Sequence, residues 1–380
     1  MKADVVIIGG GIIGLSVAYH LTRRPGPHVV VIEREATVGM GATAKATGGM
    51  RHQFSTEGNI LLSVHSFAAY RRFPEEMGAG IEFEPSGYLF VTAKRERLAQ
   101  LEATVALQRR LGVDSRVVTA AQAQALFPAV RADDLAGGTF CGQDGSGSPY
   151  AACMAYYHKS LEQGVVLRLR ERVRAIERGT PLRVETNEGT YEAPVVVNAA
   201  GAYADAVAAM VGVSLPSRPF RRQIVVGAPH EALPKGIPFI VDLETGWYLH
   251  RAADGYLLMG GTDRESHPGT DEVVDWEQAQ VLMGAATRRV PVLEQAQIVR
   301  AYVGIRSLTP DDHAILGPVP GVAGFQLAAG LGGHGFMHAP AVGLIVSEVI
   351  RDGRARTIDL GPFRYERFET AGQTGEAIKF

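Results

Sequence analysis

The chain opens on a strand, a glycine turn and a helix whose spacing leaves few folds available. Four apolar residues, Val5-Val6-Ile7-Ile8, run into Gly9-Gly10-Gly11-Ile12-Ile13-Gly14. A second apolar run, Val29-Val30-Val31-Ile32, ends in Glu33, nineteen residues after Gly14. Gly9 allows the tight turn, Gly11 lets the backbone approach a pyrophosphate, and Gly14 lets the helix pack close to the strand. The helix from Ile12 to about Arg23 turns its free N–H groups toward phosphates. Glu33 stands where a carboxylate accepts hydrogen bonds from ribose hydroxyls, which disfavours a 2′-phosphate. Residues 1–34 therefore read as a βαβ unit that holds an adenine dinucleotide.

A chain of 380 residues is long enough for a large core and two domains. Its 46% hydrophobic and 21% charged content fits a soluble α/β enzyme. A net charge of −2 gives no reason to expect nucleic acid or an anionic membrane as partner. Two cysteines, Cys141 and Cys153, are too few for a disulfide framework or a metal cluster and point to a reducing compartment. No metal is expected. The apolar N-terminus is broken by Gly9–Gly11, which marks a buried strand and not a signal peptide. No stretch reaches the ~20 apolar residues of a membrane helix, so the expected location is the cytoplasm.

Farther along, residues 39–55 read as a loop rich in glycine, alanine and threonine. Helical spacing from Ser55 to about Phe73 ends at Pro74, and Phe83–Thr92 reads as a strand pair around a turn. Leu98–Leu111 reads as an amphipathic helix stopped by Gly112, and a second helix leaves the 142–149 loop at Tyr150. Short strands are expected at Val165–Leu169, Arg172–Ile176 and Leu182–Thr186. Val195–Gly201 is a buried strand ending in small residues, as an edge facing a cofactor requires, or as tight helix–strand packing produces. Aromatics alternate through Trp247–His250 and Tyr256–Met259, as in an antiparallel sheet. Phe325–Gly330 is a third buried strand, followed by a glycine loop and a helix from about Phe336 to Ile350; Ala371–Phe380 is weakly patterned and expected to be disordered.

Three further segments carry a resemblance: Gly41–Arg51 (GATAKATGGMR), Gly304–Gly317 (GIRSLTPDDHAILG) and Ala328–Phe336 (AAGLGGHGF). Together they resemble the amine-oxidising flavoproteins that include sarcosine oxidase, glycine oxidase and D-amino-acid oxidase. Gly48–Thr56 and Asp144–Tyr150 look most like the β subunits of heterotetrameric sarcosine oxidase and L-proline dehydrogenase. The resemblance runs through nearly all of residues 1–365. It implies an α/β fold, with a discontinuous Rossmann-like FAD-binding domain (1–80, 142–214 and 301–365), a substrate domain on a mainly antiparallel sheet (81–141 and 215–300) and a tail (366–380).

The same resemblance implies non-covalent FAD, with the pyrophosphate at Gly9, Gly11, Ile12, Ile13 and Gly14 and the ribose at Glu33 and Arg34. Further cofactor contacts fall on Gly41, Ala42, Thr43, Lys45, Gly49 and Met50, and on Val173, Ala200 and Gly201. Others fall on Gly304 and Arg306, and on Gly330, Gly332, Gly333, His334, Gly335, Phe336 and Met337. The flavin ring would lie between the 41–51 and 330–336 segments. Arg51 matches the carboxylate-binding arginine of monomeric sarcosine oxidase, and Arg306 that of glycine oxidase; each is otherwise an interdomain or surface salt bridge. Tyr248 is either a third carboxylate ligand or core packing. Lys45 is either a cation beside the ring or a solvated lysine. His334 sits where a helix N-terminus faces the ring's pyrimidine edge, and its imidazole either acts there or only packs; His52 and His338 are weaker candidates. The cysteine that tethers flavin in monomeric sarcosine oxidase corresponds to Gly304, one of its lysines to Met337, and its oxygen-activating lysine falls near Leu258. No histidine near Ser148-Pro149-Tyr150 matches the one that anchors FMN in the heterotetrameric β subunit.

The expected activity is oxidation of a small secondary amino acid, such as sarcosine or L-proline, to its imine by hydride transfer, with oxygen or another acceptor taking the electrons. One alternative is a glycine- or D-amino-acid-type oxidase of primary amines. Another is a flavin-bearing electron-transfer or regulatory subunit working with further subunits. A nicotinamide dehydrogenase built on the first unit alone would leave the 330–336 loop without a purpose.

Overall fold

The computed structural model describes residues 1–261, 268–369 and 375–378. Val5–Ile8 is buried at all four positions because parallel strands flank it on both sides, two helices cover one face, and a three-stranded sheet with the short helix Ala204–Met210 covers the other. It pairs in register with Val29–Ile32 and with Val195–Asn198, Val5 standing between Val29 and Val195. The complete sheet has six strands, in the order Ile315–Pro318, Phe325–Ala329, Val195–Asn198, Val5–Ile8, Val29–Ile32, Val166–Arg168. Only the Ile315–Pro318 edge is antiparallel. Segments far apart in sequence thus build one sheet.

One face of this sheet is covered by two helices that touch backbone to backbone, Ile12–Thr22 and Gly335–Asp352. A Cβ on Gly343 would stand 2.1 Å from Ser16 Oγ, and Ser16 donates to the Ala339 carbonyl at 2.8 Å. Pro340 lies inside the second helix and has no N–H for the carbonyl four residues earlier. The Tyr70 hydroxyl supplies the missing donor, reaching the Phe336 carbonyl at 2.6 Å. A three-stranded antiparallel sheet, Val173–Glu177, Leu182–Thr186 and Thr190–Ala193, adds to the core on the opposite side.

The second large sheet has eight strands, in the order Ile298–Leu308, Arg218–Gly227, Leu257–Gly260, Trp247–Arg251, Phe239–Asp242, Tyr88–Thr92, Gly137–Cys141, Ser115–Val118. Every neighbouring pair is antiparallel except Phe239–Asp242 with Tyr88–Thr92. The period-2 pattern sorts its side chains. Leu89, Val91, Ile240, Trp247 and Leu249 pack beneath with the helix Trp276–Arg289, while Tyr88, Phe90, Phe239, Val241 and Tyr248 share the other face.

Several local expectations change. The 39–55 stretch contains a short helix, Ala42–Lys45, and a two-residue strand, Gly49–Met50, paired with Gly145–Ser146. Pro74 does not simply end a helix; after Glu57–Arg71 it sits in the first turn of a new one, Phe73–Met77, where its missing N–H costs nothing. Phe83–Thr92 is one strand, Tyr88–Thr92, because Glu84 bridges to Ser146 instead of folding back on its own neighbours. Within the C-terminal stretch expected to be disordered, residues 375–378 are packed, with Glu376 and Ile378 buried; residues 370–374 and 379–380 lie outside the described residues. Among the described residues no helix is long and apolar enough to cross a membrane.

Candidate functional site

The glycine turn is shaped by contacts that only hydrogen allows. Gly9 has φ +113°, and a Cβ there would meet the Ala199 carbonyl oxygen at 2.4 Å. A Cβ on Gly14 would stand 2.0 Å from the Gly9 carbonyl oxygen, so the helix touches the strand directly. Gly11 caps the helix with no side-chain partner, leaving its N-terminus open apart from the Thr43 hydroxyl, which accepts from the Ile12 N–H at 3.2 Å; Ile13 follows in that first turn. Glu33 lies beside this turn, one oxygen accepting from the Gly10 N–H at 2.7 Å and the other from the Glu35 N–H at 2.9 Å. Each oxygen keeps a second lone pair for a ribose hydroxyl. Arg34 lays its guanidinium over the Tyr203 ring at 3.8 Å. Gly41 and Gly201 face open space, next to Ala42 and Ala200, and Val173 heads its strand as a buried residue. These groups form a cradle that side chains would fill and that fits a dinucleotide: open helix N–H groups for phosphate, a carboxylate for ribose.

The 41–51 segment then crosses to the second sheet. A Cβ at Gly304 would approach Lys45 Cβ to 3.2 Å, and one at Gly49 would meet Phe239 at 2.9 Å and the Tyr88 hydroxyl at 3.0 Å. Lys45 forms an ion pair with Glu272. Met50 is buried behind the strand pair. Opposite, the Gly332 N–H donates to the Ser307 carbonyl at 2.9 Å, and a Cβ on Gly333 would stand 3.0 Å from the Arg306 guanidinium carbon. Gly330 adopts φ +68° against Thr309. His334 then caps the last helix, whose first turn contains Gly335, Phe336 and Met337. The two segments expected around a flavin therefore both border the strand that carries Gly304 and Arg306.

Arg51 is 1% exposed. Its guanidinium lies 3.7 Å from the centre of the Phe54 ring and donates to the carbonyls of Gln53 and, at 3.4 Å, Ile378. Burial pulls its pKa down, and the carboxylate of Glu376 opposes this. Arg51 and Arg306 both act on the buried Tyr88, whose hydroxyl burial holds well above its usual range. Both also act on His334, which burial and then Arg51 keep neutral, its pKa well below the ordinary value. Its ring meets Phe54 edge-on at 4.9 Å. Tyr248 is buried on the same sheet face, its ring over Gly260, where a Cβ would collide at 2.3 Å. Arg51 and Arg306 thus both act on His334 and Tyr88, and Tyr248 packs in the Tyr88 cluster.

The loop bearing Arg51 is fixed from behind by Asp144, which is fully buried. One of its oxygens accepts from the His52 N–H at 2.8 Å and meets His52 Nδ1 at 2.7 Å, and the other accepts from Gln53 Nε2 at 3.2 Å. His338 is tied to Ser63 at 3.0 Å and held neutral by burial, with a pKa of about 3. His52 and His338 therefore support the site from below. Sequence reasoning missed Tyr88, Phe239, His250 and Phe54. Phe239 stacks between Tyr88 at 4.0 Å and His250 at 4.7 Å, and burial holds His250 neutral near pKa 4. The alternation through Tyr88–Phe90 carried a signal for one of these; nothing local marked Glu376 or Ile378.

The chain matches the family described as FAD dependent oxidoreductase over residues 4–349. It is 30% identical to FAD-dependent oxidoreductase domain-containing protein 1 of Bos taurus, across 97% of this chain and 85% of that protein. L-proline dehydrogenase from P. horikoshii superposes with a TM-score of 0.90 at 29% identity, covering 97% of this chain and 98% of that one. Glycine oxidase from Geobacillus kaustophilus gives 0.85 at 28% identity, covering 98% and 99%. With the cradle at Gly9–Gly14 and Glu33 in place, the chain belongs to the FAD-dependent oxidoreductase family and binds FAD.

Proposed function

We propose that the chain oxidises the C–N bond of a small secondary amino acid, of the sarcosine or L-proline kind, to its imine. The observation that carries this reading is that two arginines, Arg51 and Arg306, both act on Tyr88 and on His334, and that Tyr88 packs with Phe239 and Tyr248 in one aromatic cluster. Guanidinium groups clamp a carboxylate through planar, paired hydrogen bonds, and the rings accept a small apolar body. FAD held in the cradle would supply the two-electron acceptor for hydride leaving a carbon next to the amine nitrogen. The chain's own residues bind and orient. Arg51 and Arg306 fix the acid end, and Tyr248 offers a hydroxyl to it. Neutral His334 adds no third charge, while the packed rings exclude water from the reacting carbon. The amine gives its proton to solvent, and water then releases an aldehyde from an open-chain imine.

On this reading the chain comprises an FAD-binding part (1–80, 142–214 and 301–365) and a substrate part (81–141 and 215–300). FAD is held without a covalent bond. Gly304 offers no nucleophile, and burial pushes both thiols up, Cys153 to about 12. Both cysteines are free, which fits a reducing compartment such as the cytoplasm. Acid precipitation should therefore leave the yellow colour in the supernatant; colour in the pellet defeats this point.

The test is anaerobic bleaching of the purified flavoprotein by sarcosine, L-proline, glycine and D-alanine. Bleaching by a secondary amine is expected. Bleaching only by glycine or D-alanine favours a primary-amine oxidase, the reading that the 28% identity to a glycine oxidase supports. Reduction of the isolated chain by any of them excludes a subunit that merely relays electrons. Leu258 and Met337 offer no cation for activating oxygen, so reoxidation by air is expected to be slow and by an artificial acceptor fast.

A further inference from the structure

The C-terminal segment Gly375–Ile378 reaches Arg51 and the aromatic cluster on the eight-stranded sheet. Its post is Glu376, 2% exposed. One carboxylate oxygen accepts from the Ser55 N–H at 2.8 Å and the Ile378 N–H at 3.1 Å; the other accepts from Thr56 Oγ1 at 3.3 Å and Asn59 Nδ2 at 3.2 Å. The Glu376 N–H donates to the Asp311 carbonyl at 2.9 Å, and the Ala377 N–H to Ser55 Oγ at 2.7 Å. A buried carboxylate with four donors is fixed, because losing any of them leaves a desolvated charge short of partners. Two residues on, the Ile378 carbonyl accepts from Arg51 at 3.4 Å. The Ile378 side chain, 5% exposed, packs in the same cluster as Tyr88, Phe90, Phe239 and Tyr248.

We infer that Ile378 is a specificity-determining residue, the wall that limits substrate bulk at the acid-binding end, and that Glu376 positions it. The inference rests on the carboxylate-binding role proposed for Arg51. A branched side chain seated among the rings beside the guanidinium fills the volume that a larger substrate side chain would need. Its backbone carbonyl, aimed at Arg51, restricts the directions from which a carboxylate can approach. Small amino acids fit under this wall; bulky ones do not.

The experiment uses the FAD-loaded full chain and two readouts. The first is the dissociation constant of acetate and of benzoate, followed by perturbation of the flavin spectrum. The second is kcat/KM for sarcosine against N-methyl-leucine. Ile378→Ala should shift both ratios toward the bulkier ligand by about tenfold or more, since a pocket differing by a few methylenes discriminates on that scale. Ile378→Phe should shift them the other way. Glu376→Gln, which preserves shape but weakens the post, should speed amide hydrogen exchange at Ala377 and Ile378 while leaving Val5–Ile8 protected. Acid-binding ratios unchanged within twofold in both Ile378 variants overturn the inference, whatever the turnover. Shifted acid ratios without reduction by any amino acid uphold the wall and defeat the proposed reaction.

Discussion

Arg51 is a cation where water cannot reach it, which makes it costly to keep and informative to find. Its guanidinium is supported by the Phe54 face, two carbonyls and the field of Glu376, yet no local sequence rule would bury it. Replacing Arg51 or Arg306 with methionine should raise KM for an amino-acid substrate about 30-fold or more, because truncating one partner of a desolvated charge pair costs about 2–5 kcal/mol. Steady-state kinetics check this, and an unchanged KM in both variants removes the carboxylate clamp. Asp144 makes a complementary case. Asp144→Asn keeps the shape but replaces one acceptor with a donor facing groups that themselves donate, and should lower stability by about 1–3 kcal/mol in urea titrations. The residues that were easiest to anticipate, Gly9, Gly14 and Glu33, act through their own backbone turn. Arg306 and His334 were recognisable only from the motifs around them, since their closeness to Arg51 depends on two sheets meeting.

At the scale of elements, the glycine-turn helix and the last helix show how a local pattern becomes a cofactor cradle. Gly14→Ala puts a carbon 2.0 Å from the Gly9 carbonyl oxygen, so either the turn or the helix must move. The variant should be produced without colour and should take up added FAD poorly; full yellow occupancy would contradict this. Tyr70→Phe tests the joint between helices. Without its hydroxyl the Phe336 carbonyl, freed by Pro340, is left in the interior without that donor. A loss of about 1–3 kcal/mol is expected, read from chemical denaturation. The βαβ unit was legible because its apolar runs are continuous and its glycines closely spaced. The expected Phe83–Thr92 hairpin failed for the opposite reason: Glu84 bridges to Ser146, more than sixty positions away, and no local turn signal reports that pairing. Pro74 was read as a stop, although proline also suits a first helical turn, and only the packing of Phe73 and Met77 decides between the two.

For the molecule as a whole, burial sets the response to acid. His20, His250 and His338 are pulled below the ordinary 6.5 to about 3, 4 and 3, in each case chiefly by desolvation. The unfolded chain takes up protons at these sites below pH 6.5, whereas the folded chain stays neutral there until about pH 4. The unfolded state therefore binds more protons in this window, and stability falls as pH drops from 6.5 toward 4. Each histidine contributes a slope approaching about 1.4 kcal/mol per pH unit in that range. Urea midpoints should decline between pH 7 and pH 5, with a shallower decline in His250→Gln; a flat profile would refute the assignment of neutral buried imidazoles.

The sequence by itself determined the dinucleotide turn, the buried parallel strands and the alternating aromatic strands, because backbone conformation and side-chain period are properties of neighbouring residues. Only the tertiary structure decided that Tyr88, Tyr248 and Ile378 pack in one cluster, that Arg51 reaches the Ile378 carbonyl, and that Arg51 and Arg306 both act on Tyr88. Those residues come from five separate segments. What joins them is packing against one face of the eight-stranded sheet and the need of buried charges for partners, and neither is written in any short stretch of chain.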